Sequence, residues 1–127
     1  MFERLLPKSI STLLSGTISW DPEYKEKQIY NIIINHTDAN KELWKKWAKV
    51  SKEMPVSFSN TMRQLWAAFW SPNPEKVQTP LYIGSSINDR MVSAECSKRM
   101  AKAWELPIFY HPTAGHDILN DAPKWVA

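Results

Sequence analysis

The apolar pattern of the chain changes at residues 71–74, Ser-Pro-Asn-Pro, and no other feature constrains the fold as much. Two prolines so close together cannot continue a helix, and they favour extended backbone. Before this segment apolar residues recur at three- and four-residue steps, as on one face of a helix. After it they form short continuous runs, as in strands buried on both faces. The sequence therefore predicts two regions of different architecture, residues 1–74 and residues 75–127.

Three helices are predicted in the first region. The first begins at Asp21, because an aspartate accepts hydrogen bonds from the free amides of a first turn and Pro22 is tolerated there. The second is predicted over Ala39–Met54, where a proline follows and ends it, and the third over Ser59–Trp70. Most of the seven tryptophans fall between residues 20 and 70, and we expect them to pack chiefly against one another.

The second region is predicted to be a strand, a helix and a strand. The strands correspond to the apolar runs Pro80–Ser85 and Ile108–His111, and the helix between them begins at Ser93. A right-handed crossover makes such strands parallel neighbours. A further helix, capped by Asp121, is predicted at the end of the chain. Because two parallel strands are not a stable sheet in water, we expect the ordered molecule to pair with a missing N-terminal half or with copies of itself.

Composition excludes several classes of function. The three glycines, Gly16, Gly84 and Gly115, are too far apart for a phosphate-binding loop, a dinucleotide fingerprint or a G-x-S-x-G turn. The single Cys96 cannot form an intramolecular disulfide and has no partners at metal-site spacing, which favours a reducing, cytoplasmic environment without a structural metal or cofactor. The formal charge of +3 is mild, so no nucleic-acid partner is expected, and no apolar run is long enough to span a membrane.

Two stretches of the second region resemble the α/β-hydrolase superfamily. Residues 80–92, PLYIGSSINDRMV, look like the penultimate core strand and the following loop, where the family places the acid of its catalytic triad, and Asp89 occupies that place. Residues 113–118, TAGHDI, resemble the family's histidine loop, which makes His116 the matching histidine. The separation of 116 − 89 = 27 residues leaves room for one helix and one strand. Residues 119–126 continue as the C-terminal helix of the family does.

The resemblance implies a fold class and a function. The fold class is α/β: residues 1–74 correspond to a helical cap, and residues 75–127 to the last two parallel strands of an α/β-hydrolase and their helices, incomplete without an N-terminal half. The implied enzyme is a serine hydrolase that cleaves small ester-like acyl substrates. Since its G-x-S-x-G turn is missing, Asp89 and His116 would serve a serine outside this chain, and the chain alone is expected to be inactive. Two alternatives stay open: an aspartate nucleophile, as in dehalogenases and epoxide hydrolases, or a non-catalytic interaction module.

Each candidate residue also has a purely structural interpretation. Asp89 is of a type that loops favour, and His116 would suit a loop histidine bonded to a backbone carbonyl. His36 and His111 lie at the ends of predicted elements and are expected to be structural. Asp117 is expected to have a local turn role.

Overall fold

The computed structural model describes residues 5–19, 21–38, 41–72, 75–76 and 78–127. These residues form a mixed α/β arrangement, in which the described part of the chain contains seven helices and two parallel strands. In chain order the elements are α1 (Pro7–Ile18), α2 (Pro22–Ile33), α3 (Leu43–Glu53), α4 (Phe58–Trp70), β1 (Ile83–Ser86), α5 (Ala94–Trp104), β2 (Ile108–His111), α6 (Ile118–Asp121) and α7 (Pro123–Val126). Nowhere in these ranges is there a helix with the length and apolar character that crossing a bilayer requires.

Two of the three predicted helices of the first region are confirmed almost to the residue. Helix α2 begins at Pro22, and the side chain of Asp21 accepts a hydrogen bond of 2.9 Å from the amide of Glu23. Helix α4 begins one residue before the predicted start, because the hydroxyl of Ser57 caps it by accepting from the amide of Asn60. It ends at Trp70, at the predicted break, of which residues 73 and 74 lie outside the described part.

Helix α3 begins later than predicted. The predicted start at Ala39 lies outside the described residues, but residues 41 and 42 form a turn and the helix begins at Leu43. The amides of Lys45 and Lys46 bond to the carbonyl of Glu42, which closes the first turn there. The helix ends at Glu53, so the predicted end at Met54 is right to within one residue.

Helix α1 was not predicted. Pro7 stands in its first turn, where a missing amide hydrogen costs nothing. The hydroxyl of Ser9, which is buried, donates to the carbonyls of Leu6 at 2.7 Å and Met91 at 3.0 Å. The amide of Leu6 also donates to Met91. Helix α1 is therefore attached to the loop after β1, and it also packs against α2.

The predicted strand, helix and strand are present, and the two strands are parallel. Ile83 pairs with Ile108 and Ser86 with His111, and Ser93 caps α5 as expected. Strand β1 begins at Ile83 and not at Pro80. The expectation that the strands are buried on both faces is wrong, since Phe109 and Tyr110 of β2 are 54% and 38% exposed. The described residues supply no third strand beside this pair, so aromatic side chains of the sheet face solvent.

The end of the chain differs from its prediction. Asp121 does not cap the last helix: it is the last residue of α6 and is buried. The cap of α6 is Asp117, whose side chain accepts from the amide of Asn120 at 3.2 Å, in keeping with the local role expected for it. The following helix, α7, begins at Pro123 and lays the ring of Trp125 against Gly84.

The aromatic residues of the first region pack together only in part. The rings of Tyr30 and Trp47 meet edge to face with centroids 6.1 Å apart, where α2 packs on α3. In α4 the rings of Trp66 and Trp70 lie 5.4 Å apart, but this helix buries no residue. Helix formation in α4 follows the local pattern, whereas its packing does not follow the expectation of an aromatic core.

Candidate active site

The carboxylate of Asp89 is fixed by the turn that follows β1. Its Oδ1 atom accepts the amide hydrogens of Met91 at 2.7 Å and Val92 at 2.9 Å. The carbonyl of Met91 is bonded in turn to the start of α1, through Leu6 and Ser9. Asp89 is thus a turn residue, as its structural interpretation states, yet this role occupies only one of its two oxygens.

The second oxygen of Asp89 contacts His116. The distance from Oδ2 to Nδ1 of His116 is 2.7 Å, so the structure brings the two predicted site residues together from the loops that follow two adjacent parallel strands. His116 is bonded to a carboxylate and not to the backbone carbonyl of the structural interpretation. Whether the pair is catalytic stays a prediction.

The contact determines which nitrogen of His116 carries a proton. An ionised carboxylate only accepts hydrogen bonds, so Nδ1 is the protonated nitrogen and Nε2 of the neutral ring has its lone pair free. Nε2 makes no hydrogen bond to any residue that the structure describes. The His116 side chain is 39% exposed and that of Asp89 only 13%. The outer nitrogen of the ring is therefore placed to accept a proton from a group that approaches from solvent.

The pKa values of the two groups move apart. For Asp89, burial alone would raise the pKa, but the hydrogen bonds from His116, Val92 and Met91 outweigh it and lower the pKa below its ordinary value. For His116, the hydrogen bond to Asp89 raises the pKa above 6.5 against the opposing effect of burial. The nearby charges of Asp89 and Asp117 act in the same direction. The pair therefore favours a negative carboxylate beside a basic imidazole.

Asp121 holds the histidine loop, a role that the sequence analysis missed. Its side chain is 0% exposed, and it accepts the amide hydrogens of Gly115 at 2.5 Å, Asn35 at 3.0 Å and His36 at 2.7 Å. Burial would raise its pKa, but these three amides lower it. The only sequence signal was an aspartate five residues after His116, which also suits a helix cap.

The other two histidines have hydrogen bonds of a structural kind. His36 lies after α2, with Nδ1 3.1 Å from the carbonyl oxygen of Asp121 and Nε2 3.1 Å from the hydroxyl of Thr113. His111 ends β2, and its Nδ1 accepts the amide hydrogen of Ala114 at 2.8 Å. Both therefore support the loop that carries His116, in keeping with the structural roles expected for them.

A cavity of about 810 Å³ opens beside Asp89, between the loop after β1 and helices α1 and α2. Polar side chains form much of its wall, and they include Lys8, Thr12, Gln28, Asn31 and Arg90. None of the tryptophans in the described ranges lines it. Within the described ranges, no three His, Cys, Asp or Glu side chains are grouped closely enough to hold a metal ion.

Comparison with known proteins adds no relative to this picture. No protein-family model, no curated protein and no solved structure matches the chain at a significant level.

Proposed function

We propose that this chain is the part of an α/β-hydrolase that supplies the acid and the base of a Ser-Asp-His triad, in an enzyme that cleaves ester-like acyl substrates. The observation that carries the proposal is the 2.7 Å contact between Oδ2 of Asp89 and Nδ1 of His116. The two residues follow neighbouring parallel strands in chain order, first the acid and then the histidine. This is the order in which α/β-hydrolases arrange them after the serine.

The geometry supports the chemistry that such a pair performs. Nε2 of His116 takes the proton of the attacking serine hydroxyl and later returns a proton to the leaving group. Asp89 keeps Nδ1 protonated and stabilises the imidazolium that forms in between. The two backbone amides on Oδ1 hold the carboxylate in place during this cycle. The serine itself is proposed to lie outside residues 1–127, because this sequence has no G-x-S-x-G turn.

The two-stranded sheet supports the proposal that further strands complete the fold. Parallel sheets are ordinarily covered on both faces and contain more than two strands. Here Tyr82 and Phe109, whose ring centroids lie 6.1 Å apart, are 74% and 54% exposed. We place the missing strands beside β1, where they would bring the serine towards the ends of β1 and β2.

The test compares the isolated chain with the product of the gene that includes the sequence upstream of Met1. The isolated chain is expected to hydrolyse p-nitrophenyl acetate no faster than its Asp89→Ala, His116→Ala double variant. The longer protein is expected to be active and to react with a fluorophosphonate at a serine upstream of Met1. In the longer protein, His116→Ala should lower kcat by about 10⁴-fold or more, because triad members act as a unit. The control is Asp38→Asn, at a side chain that is 94% exposed.

The same experiment separates the alternatives. An aspartate nucleophile would leave the longer protein unlabelled by the fluorophosphonate, while dehalogenase or epoxide hydrolase activity would still depend on His116. A non-catalytic module would show no turnover and no labelling, and its upstream sequence would contain no nucleophile turn. Turnover by the isolated chain well above the double variant would contradict the proposal directly.

A further inference from the structure

Residues 34–36, which follow α2, lie between the loop of Asp89 and the loop of His116. The side-chain amide of Asn35 donates one hydrogen bond of 3.0 Å to the carbonyl of Asn88 and another of 3.0 Å to the carbonyl of Thr113. Asn88 immediately precedes Asp89, and Thr113 stands three residues before His116. One amide group therefore bridges the two loops whose side chains form the dyad.

The orientation of this amide follows from its partners. Both partners are carbonyl oxygens, which only accept hydrogen bonds, so the NH₂ group of Asn35 must face them. Its Oδ1 atom is then buried without a hydrogen-bond partner among the described residues. A buried acceptor without a partner costs free energy. The side chain therefore stabilises the structure through its two N–H donors alone, and each of these bonds to one of the two loops.

The backbone of residues 34–36 is held independently of this side chain. The carbonyl of Ile34 accepts from Nη2 of Arg90 at 2.7 Å, and the amide of Asn35 donates to the buried carboxylate of Asp121. The amide of Asp117 donates to the carbonyl of Ile33, just before the segment, at 3.1 Å. Removing the Asn35 side chain should therefore leave the segment in place and release only the bridge between the loops.

We propose that Asn35 is a positioning residue, which sets the separation of the Asp89 and His116 loops through its two hydrogen bonds and thereby maintains the contact between Oδ2 and Nδ1. The inference rests on the proposed function only in regarding the dyad as catalytic. The bridge reaches the site from residues that the sequence resemblance assigns to a cap. A displacement of about 1 Å in such a contact can cost about a hundredfold in rate. Loss of the bridge is therefore expected to lower the rate of the reaction.

The test is carried out on the whole 127-residue chain by nuclear magnetic resonance, with Asn35→Ala as the variant. In the unaltered chain the chemical shift of the Cε1 proton of His116, followed against pH, should give a pKa above the ordinary 6.5. The Nδ1 proton should give a downfield resonance typical of a hydrogen bond to a carboxylate. Asn35→Ala should lower the pKa of His116 towards 6.5 and broaden or remove the downfield signal. The charged groups facing His116 are Asp89 and Asp117, so Asp117→Asn is titrated alongside to measure the second charge separately.

The matched control is Asn60→Ala, which removes the same side chain from an exposed position of α4 and should leave both signals unchanged. A folded Asn35→Ala chain in which His116 titrates as before and keeps its downfield proton would overturn the proposal. If Asn35→Ala does not fold, Asn35→Ser, which keeps one short donor, is measured against the same criteria. If neither variant folds, Asn35 supports the fold as a whole and the positioning role is refuted.

Kinetics of the longer protein provide the second readout. There, Asn35→Ala is expected to lower kcat by about tenfold or more and to change KM less than kcat, because the misplaced base acts in the chemical step. A changed titration in an inactive protein would refute the hydrolase and leave the positioning role intact. If the longer protein is an active enzyme and the titration of His116 is unchanged in Asn35→Ala, the hydrolase stands and the positioning role is refuted.

Discussion

Two regions of the molecule achieve order in opposite ways. The loop cluster, in which residues 34–36, 86–92 and 113–121 meet, is joined by hydrogen bonds to buried or half-buried polar groups such as Asp121. Helix α4 has a well-marked apolar pattern and a capping serine, yet Phe58 and Trp66 are 66% and 67% exposed. The comparison teaches that apolar periodicity forms a helix here, whereas polar contacts at long range determine how the chain is arranged.

The largest expected effect is on the buried carboxylate of the loop cluster. Asp121→Asn removes the charge that three backbone amides share and turns an NH₂ group towards at least one of them. We expect a loss of about 3 to 5 kcal/mol in the free energy of unfolding, since buried donors are left without an acceptor. Urea denaturation followed by circular dichroism measures it. Asp38→Asn is the control and should cause no measurable change; equal losses in both variants would remove the special status of the cluster.

The second prediction concerns how closely the backbones approach inside the cluster. A Cβ atom at Gly115 would overlap the carbonyl oxygen of Ile33 and lie 2.9 Å from its carbon. Gly115→Ala should therefore cost about 2 to 3 kcal/mol, because the backbone must move. At Gly84 the new atom would lie 3.5 Å from the ring of Trp125, an ordinary contact. Gly84→Ala should change the unfolding free energy by less than about 0.5 kcal/mol, and the same denaturation series compares the two.

The difference between the regions also explains what was predictable. Strands β1 and β2 and helix α5 follow from local patterns. The pairing of Asp89 with His116 was expected from the resemblance of their loops to those of α/β-hydrolases, and residues after adjacent parallel strands do meet at one edge of a sheet. The roles of Asn35 and Asp121 follow from neither the local patterns nor the resemblance. Asp121 binds backbone amides, one of them 86 residues away, and a backbone amide leaves no mark in the sequence.

Packing was the other part that the sequence pattern did not determine. Helix α1 is held by a hydrogen bond from Ser9 to the carbonyl of Met91, 82 residues away in the chain. The sequence of α1 contains no pattern that indicates this distant partner. The exposure of Tyr82 was missed because a short apolar run is the same whether or not neighbouring strands are present.

The contact between Asp89 and His116 should stabilise the chain by an amount that depends on pH. The raised pKa of His116 means that its contribution to stability is fully present below the ordinary 6.5 and is lost as the pH rises through the folded value. The lowered pKa of Asp89 means that its contribution is lost as the pH falls through the folded value. The stability difference between the unaltered chain and Asp89→Asn should therefore be largest between these limits. We expect about 1 kcal/mol there, because His116 is partly exposed and solvent screens the pair.

Denaturation at a series of pH values checks this dependence. A difference that falls at low pH but does not fall as the pH rises through the folded pKa of His116 would mean that Asp89 stabilises the chain only through its turn amides. In that case the contact between Asp89 and His116 would contribute nothing to stability. The contrast between the loop cluster and α4 would then no longer include the proposed catalytic pair.

The smallest expected effect lies on α4. Trp66→Ser removes a large apolar side chain, which in a core would cost about 3 to 5 kcal/mol, but Trp66 is 67% exposed and its ring lies 5.4 Å from that of Trp70. We expect the free energy of unfolding to fall by less than about 0.5 kcal/mol. The comparison variant is Ile34→Ala, at a side chain that is 0% exposed, with an expected loss of about 2 to 5 kcal/mol. A loss above 1 kcal/mol for Trp66→Ser, dependent on protein concentration, would show that copies of the chain cover α4 in solution, and the contrast between the two regions would then hold only for the separate chain.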